Sequence, residues 1–179
     1  MVWGAFSLYQ SPSRLYVQSV DVKEDFLALR RSPSALRCAA RIYKLTAGET
    51  PQGCENDGLL RTLWSAMLQL SAGAMPAAVE FRYKWRLLAS MGMAPSLEYC
   101  AGCGERLTRG GVFTDEGILC GRCAAQAKGL PLSERELTIM RAAAALSHDK
   151  FVEWSANCGF EEIFATNIKK LSSYFRNLL

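Results

Sequence analysis

The sequence predicts a mainly α protein, a helical bundle with a small four-cysteine knuckle-and-hairpin insert and a short β segment at the N-terminus. Three observations predict it. Apolar residues recur at helical spacing through most of the chain beyond residue 25. Before that point they alternate at period two, as in strands. Between residues 100 and 123 two C-x-x-C pairs interrupt the helical pattern.

At 179 residues the chain has the length for one good core plus a small satellite module. Half of the residues are hydrophobic and no stretch is of low complexity, which excludes a disordered chain. Twenty-one basic against 17 acidic residues give a formal charge of +4, a mild bias far from a histone-like tail. The start MVWGAFSLYQ has no basic region and no clean apolar run, so no secretory signal is read there. Residues 62–79 carry no charge over 18 positions. Gln69, Gly73 and Pro76 divide that stretch, which reads as two core helices with a break rather than a membrane span. A soluble, intracellular protein is expected. Seven cysteines, an odd number, fit metal binding in a reducing compartment better than a disulfide framework.

In chain order, WGAFSLYQ (3–10) and LYVQSVDV (15–22) read as a hairpin across SPSR, with a slip in the alternation at Gln18-Ser19. Two strands alone are barely stable in water, so this piece is the end of something larger or a flap on the next domain. Ser34 is placed to cap a helix over 35–47, with Leu36, Ala39, Ile42, Tyr43 and Leu45 inward and Gly48 at its end. TPQGCEND is a loop, and Asp57 is the expected N-cap of LLRTLWSAMLQLSAG. Leu60, Leu63, Trp64, Met67, Leu68 and Leu70 form its apolar stripe. Pro76 opens the next helix, which runs to about Met91 ahead of Gly92 and Pro95.

Within that helix, FRYKWR (81–86) alternates aromatic and basic residues. Read at period two it would be a strand with one basic face and one base-stacking face. Across the whole of AAVEFRYKWRLLASMG, however, Val79, Phe81, Trp85, Leu88 and Met91 recur near helical spacing, and strong helix formers flank them. The helical reading places Phe81 and Trp85 in the core and Arg82 and Arg86 as neighbours facing solvent. Further on, Ser133-x-x-Glu136 is a capping box ahead of an Ala-rich helix. A last helix in GFEEIFATNIKKLSSYFRNLL puts Ile163, Phe164, Ile168, Leu171, Phe175 and Leu178 on one side. The expected organisation is a β segment over 1–25, a helical domain over 26–98 and 124–179, and the insert over 99–123.

The insert carries the chemistry. Cys100, Cys103, Cys120 and Cys123 form C-x2-C-x16-C-x2-C, two knuckles that each present two thiolates. VFTDEGILC (112–120), with Asp115-Glu116-Gly117 at its turn, is a hairpin that brings the knuckles together. Four sulfurs in a tetrahedral set suit one structural Zn(II) and leave no open position for a substrate water. A redox dithiol and iron in the same sulfur site are the alternatives. Cys38, Cys54 and Cys158 are scattered and read as buried or incidental thiols. The bundle core is expected to lie outside the insert and to survive loss of the metal. Arg106, Arg109 and Arg122 surround the cysteines, where they either offset the thiolate charge or meet DNA phosphates.

Arg30, Arg31, Arg37, Arg41 and Lys44 form a second basic group, with no acid between Phe26 and Gly48. Arg37, Arg41 and Lys44 share one helix face, and an uncompensated ridge of one sign invites either a polyanion or plain solvation. No catalytic set stands out. His148 is the only histidine, at a helix start, and no phosphate-binding loop, nucleophile elbow or H-E-x-x-H motif is present. The reading is a non-enzyme.

FRYKWRLLASMGMAPSLEYCAGCGERL followed by GVFTDEGILCGRC resembles the bacterial RecO family of recombination mediators. That family shows an apolar helix ending in L-x-x-x-G-x-x-P-x-L, then C-x-x-C-G, a glycine turn and the second C-x-x-C. DFLALRRSPSALRCAARIYKL is similar to its link into the first helix, so the resemblance covers most of residues 15–123. It implies a protein of the bacterial cytoplasm and nucleoid that binds single- and double-stranded DNA and anneals strands. It further implies work with RecR to load RecA onto strands covered by single-stranded-DNA-binding protein (SSB), contact with the C-terminal tail of SSB, and no membrane or small-molecule partner. The family also opens with a five-stranded OB-fold. This chain has room for only its final strands, which makes residues 1–25 a remnant of that barrel. The second reading is a zinc-stabilised protein-interaction adaptor that makes no DNA contact of its own.

Overall fold

The structure is a computed structural model that describes residues 1–49 and 56–178, without the side chains of residues 49 and 175–178. Cys54 and most of the TPQGCEND loop, and the side chains of Phe175 and Leu178, therefore lie outside the described residues. A hairpin of β1 (Trp3–Gln10) and β2 (Leu15–Glu24) comes first, then a 3-10 turn over Leu27–Arg31. The helices are α1 (Pro33–Glu49), α2 (Asp57–Ser71), α3 (Pro76–Ser90), α4 (Glu134–Ala145), α5 (His148–Asn157) and α6 (Glu161–Leu178). Between α3 and α4 a small antiparallel sheet holds β3 (Gly111–Thr114), β4 (Gly117–Leu119) and β5 (Leu130–Leu132), in the order β4-β3-β5. Among these described residues no helix is long and apolar enough to cross a membrane.

The hairpin has two irregularities, one near its base, where Trp3 pairs with Glu24 and Gly4 with Val22, and one where the alternation slips. Ser7 pairs with Ser19 and Leu8 with Val17, so Gln18 is the extra residue of a bulge. Trp3 and Phe26 hold the base of the hairpin against Trp64 of α2, with ring centroids 4.8 and 5.5 Å away. Beyond that base its apolar side chains, among them Leu8, Tyr9, Leu15 and Val17, stay exposed.

α1 departs from expectation at both ends and on its face. Ser32, not Ser34, caps it: the Ser32 hydroxyl accepts from the Ala35 N–H at 3.3 Å, and Pro33 occupies the first turn, where its missing N–H is harmless. The helix continues through Gly48. Ala35, Cys38, Ala39, Ile42 and Thr46 point inward, while Leu36 and Tyr43 are exposed. Small residues at 35, 38 and 39 let α1 lie close on α2 and α3, and that contact selects the small face over the bulkier one. At α2 the cap is Asn56, whose side chain accepts from the Leu59 N–H at 3.1 Å. Asp57 is displaced into the first turn, where its charge complements the helix dipole. Leu60 faces solvent and Leu59 takes its place inside.

α3 is the axis of the bundle, packed by α1, α2, α4 and α6. Packing on several sides explains FRYKWR: it is helical, and Arg82 is inside along with Phe81 and Tyr83. Arg82 does not face solvent as expected. It is 2 % exposed, donates through Nη2 to the Leu146 carbonyl at 2.6 Å, and lies over the Phe151 ring at 4.2 Å. A guanidinium from α3 thus satisfies the C-cap carbonyl of α4 while stacking on α5. Its Nε and Nη1 find no hydrogen-bond partner among the described residues. Trp85 and Arg86 are half-buried. The Tyr83 hydroxyl meets Thr46 Oγ1 of α1 at 2.6 Å. Pro76 and Met91 delimit α3 as anticipated, and Ser133 and Glu136 form the capping box of α4.

The insert is not a separate satellite. Leu107, Phe113, Ile118 and Leu119 belong to the same apolar core as the helices, and Phe113 meets Tyr174 of α6 edge-on at 5.7 Å. The core therefore does not lie outside the insert. β5 was not apparent in the sequence. It is three residues with a proline at the centre, and its register against β3 is a tertiary contact rather than a local preference.

Candidate metal centre and basic face

The two knuckles meet at one end of the β3–β4 hairpin. Thr114 pairs with Gly117 across the Asp115-Glu116 turn, and strand pairing carries Cys120 back beside Cys100. The first knuckle closes on itself through Gly104 N–H to the Cys100 carbonyl at 2.9 Å and Cys100 N–H to the Glu105 carbonyl at 2.8 Å. Gly104 adopts φ +71°, which glycine reaches without strain. At Gly102 a Cβ would sit 3.3 Å from the Cys123 sulfur, so the close approach of the knuckles favours glycine there too.

The sulfurs of Cys100, Cys103, Cys120 and Cys123 all lie within 4.8 Å of one another, an arrangement that could hold a metal ion. Cys103 and Cys120 are 3.8 Å apart. A tetrahedron with metal–sulfur bonds of about 2.3 Å has edges of roughly 3.8 Å, the separation of this pair. It is far too long for a disulfide. Cys100 is buried, Cys120 and Cys123 are half-buried and Cys103 is exposed. Burial would push the Cys100 thiol up, but backbone N–H groups of Cys120, Cys103 and Gly102 directed at its sulfur bring it down to about 6. Hydrogen bonds with the Cys103 and Cys120 sulfurs push Cys123 up to about 12.

The surrounding arginines are largely engaged. Arg122 forms an ion pair with Glu105 across the two knuckles and reaches the Cys103 and Cys120 sulfurs. Arg106 lies 3.6 Å from Glu98. Arg122 is thus placed to offset thiolate charge, one of the two roles the sequence leaves open.

The family model described as "Recombination protein O C terminal" matches residues 30–158, a span that contains all four of these cysteines. The chain belongs to the RecO family. Similar proteins include the DNA repair protein RecO of Desulforamulus reducens, 28% identical over 129 residues, covering 70% of this chain and 50% of that one. That of Acetivibrio thermocellus is 27% identical over 138 residues, 75% of this chain and 55% of that one. That of Anaeromyxobacter sp. (strain K) is 30% identical over 117 residues, 65% and 46% of the two chains. The chain spans about half the length of the RecO relatives it matches.

The second basic group of this RecO-family chain is exposed throughout: Arg30 and Arg31 on the 3-10 turn, Arg37, Arg41 and Lys44 on α1. It is not the uncompensated ridge the sequence shows. Arg41 donates through Nε and Nη2 to Glu80 Oε2 at 2.8 and 2.6 Å, and Lys84 reaches Glu80 Oε1 at 3.0 Å. Burial would raise the Glu80 carboxyl, yet Arg41 and Lys84 hold it below its ordinary value. This partner comes from another helix, 39 residues away, and no local signal reveals it.

Three other residues escaped sequence reasoning. Arg141 of α4 donates to the carbonyls of Leu97 at 2.8 Å and Leu107 at 2.7 Å, clamping the base of the first knuckle to the bundle. Lys170, 3 % exposed, donates to the Pro131 carbonyl at 2.9 Å and pairs with Glu136 at 3.1 Å. Lys169, its neighbour, turns outward toward α1 and lines a groove with Arg37 and Arg41. His148 sits at the start of α5, with Nδ1 3.4 Å from Gln69 Nε2. The Cys38 thiol, buried and donating to the Pro76 carbonyl at 3.2 Å, is pushed up to about 12 by its burial. That is the inert thiol the sequence suggests.

Proposed function

We propose that this chain is the helical, zinc-bearing portion of a RecO-type mediator in DNA repair and homologous recombination. It acts without catalysis, by binding single- and double-stranded DNA, favouring annealing, and assisting RecR and the recombinase RecA on strands covered by SSB. Its setting is the bacterial cytoplasm and nucleoid, and the tail of SSB is one of its contacts. The observation that carries the reading is the family match over residues 30–158, which takes in both the four cysteines and the basic face.

Zn(II) is the metal that suits the site best. Four cysteine ligands complete its coordination, so the ion ties the knuckles together and leaves no place for a reacting water. The chain's own residues then do the work of recognition. Arg30, Arg31, Arg37, Arg41 and Lys44 present cations to phosphates without reading base edges, so binding is insensitive to sequence and sensitive to salt.

A specific observation favours the second reading, an interaction adaptor with no DNA contact. Arg41, Arg106 and Arg122 are each already paired with a carboxylate, which lowers the free positive charge. A gel shift with a labelled single strand across a salt series separates the two. Retardation at low salt that disappears as salt rises supports the mediator. No retardation at any salt, with RecR or the SSB tail still captured, establishes the adaptor.

A further inference from the structure

The basic residues of α1 do not end on a convex ridge. Between α1, α3 and the beginning of α6 lies a groove of about 370 Å³, whose wall includes Ser34, Arg37, Arg41, Glu80, Glu161 and Lys169. Lys169 is 132 positions from Arg37 in sequence. Only the packing of α6 along α3 brings the two cations to one opening.

The charges within the groove are unequal in freedom. Glu80 is nine-tenths buried and already held by Arg41 and Lys84, so it repels an incoming anion little. Arg37 and Lys169 are exposed, and neither has an ion-pair partner among the described residues. Glu161 is the one remaining carboxylate on the wall. Arg41 is paired with Glu80, so it lines the groove without adding free positive charge. Residues of the first turns of three long helices, α1, α3 and α6, also line the opening, where the positive ends of the helix dipoles add potential of the same sign. Two free cations and the helix starts beside them make a receptor for a tetrahedral oxyanion.

We infer that this groove is a phosphate site, in which Arg37 and Lys169 together grip one phosphate. It rests on the polyanion reading above and relocates the contact. A bound strand runs from α1 across the groove onto α6, rather than along α1 through Lys44. Lys169 becomes a nucleic-acid contact and Lys44 does not.

The deciding experiment measures fluorescence anisotropy of a labelled oligothymidine with the full chain across a salt series, for wild type, Lys169→Gln, Arg37→Gln and Lys44→Gln. All three side chains are exposed, and unchanged thermal melts establish that the variants fold. Loss of one phosphate contact should lower the log–log salt slope by about 0.7, or about five-fold in affinity per decade of salt below 1 M. Lys169→Gln and Arg37→Gln should each show this, Lys44→Gln should not, and Glu161→Gln should bind more tightly. If Arg37→Gln and Lys44→Gln weaken binding while Lys169→Gln matches wild type, the groove is refuted and the α1 ridge survives. If the wild type binds no strand, the polyanion reading falls, and phosphorus NMR with inorganic phosphate decides the groove. Line broadening by wild type but not by Lys169→Gln supports a site for free phosphate. No broadening by either overturns the inference.

Discussion

Removing the metal should unfold far more than the insert. The perturbation is chelation of the ion, or Cys103→Ser, the exposed ligand. The magnitude follows from what the insert buries. Leu107, Phe113, Ile118 and Leu119 are each between 0 and 8 % exposed within the common core. Each such side chain contributes about 1.5–3 kcal/mol on burial, so together they supply roughly 6–12 kcal/mol. A whole domain is stable by only about 5–15 kcal/mol. The Phe113–Tyr174 contact and the two Arg141 bonds to the knuckle base carry the same loss into α6 and α4. Even a 5 kcal/mol loss lowers Tm by roughly 10–20 °C for a chain of this size. Hydrogen exchange read by mass spectrometry, before and after chelation, should show α4 and α6 losing protection together with the hairpin. Unchanged protection in both helices, with only the insert exchanging faster, would refute the reasoning and restore the insert as an independent module.

Arg82→Ala should cost about 2–4 kcal/mol in urea unfolding, because it opens a cavity and frees the Leu146 carbonyl. Arg82→Met should recover most of that loss by refilling the volume without a desolvated charge, and equal costs for the two variants would contradict this. Phe81→Ala, in the helical core and 5.6 Å from the Phe164 ring, should cost roughly 3–5 kcal/mol by the same assay. Glu80 has a folded pKa below its ordinary value of 4.5, so its stabilising contribution is complete above 4.5 and is lost as pH falls through the folded value. Glu80→Gln should therefore lower the urea midpoint at pH 7 and converge on wild type under strongly acidic conditions. A gap that persists unchanged into acid would rule out the ionised carboxylate as its source.

The sequence by itself determined whatever depends on near neighbours. The hairpin and its bulge at Gln18 follow from period-two alternation, the capping box at Ser133 from spacing along one turn, and the helical reading of FRYKWR from its flanks. The four-cysteine centre was legible for the same reason. Each knuckle is a local loop, and a two-residue turn suffices to bring the pair together.

Tertiary structure alone decided which polar groups share an environment. Whether Arg82 faces water or the Phe151 ring depends on α5, and whether Arg41 is free depends on a carboxylate on α3. The inward face of α1 was chosen by how closely α2 and α3 approach its small residues, not by its most apolar side chains. β5 exists because β3 offers it an edge, and the Arg37–Lys169 groove because α6 lies along α3. Local periodicity reports a preference for burial, which one helix can express. Electrostatic pairing and packing are properties of two elements at once, and no single stretch of sequence contains both.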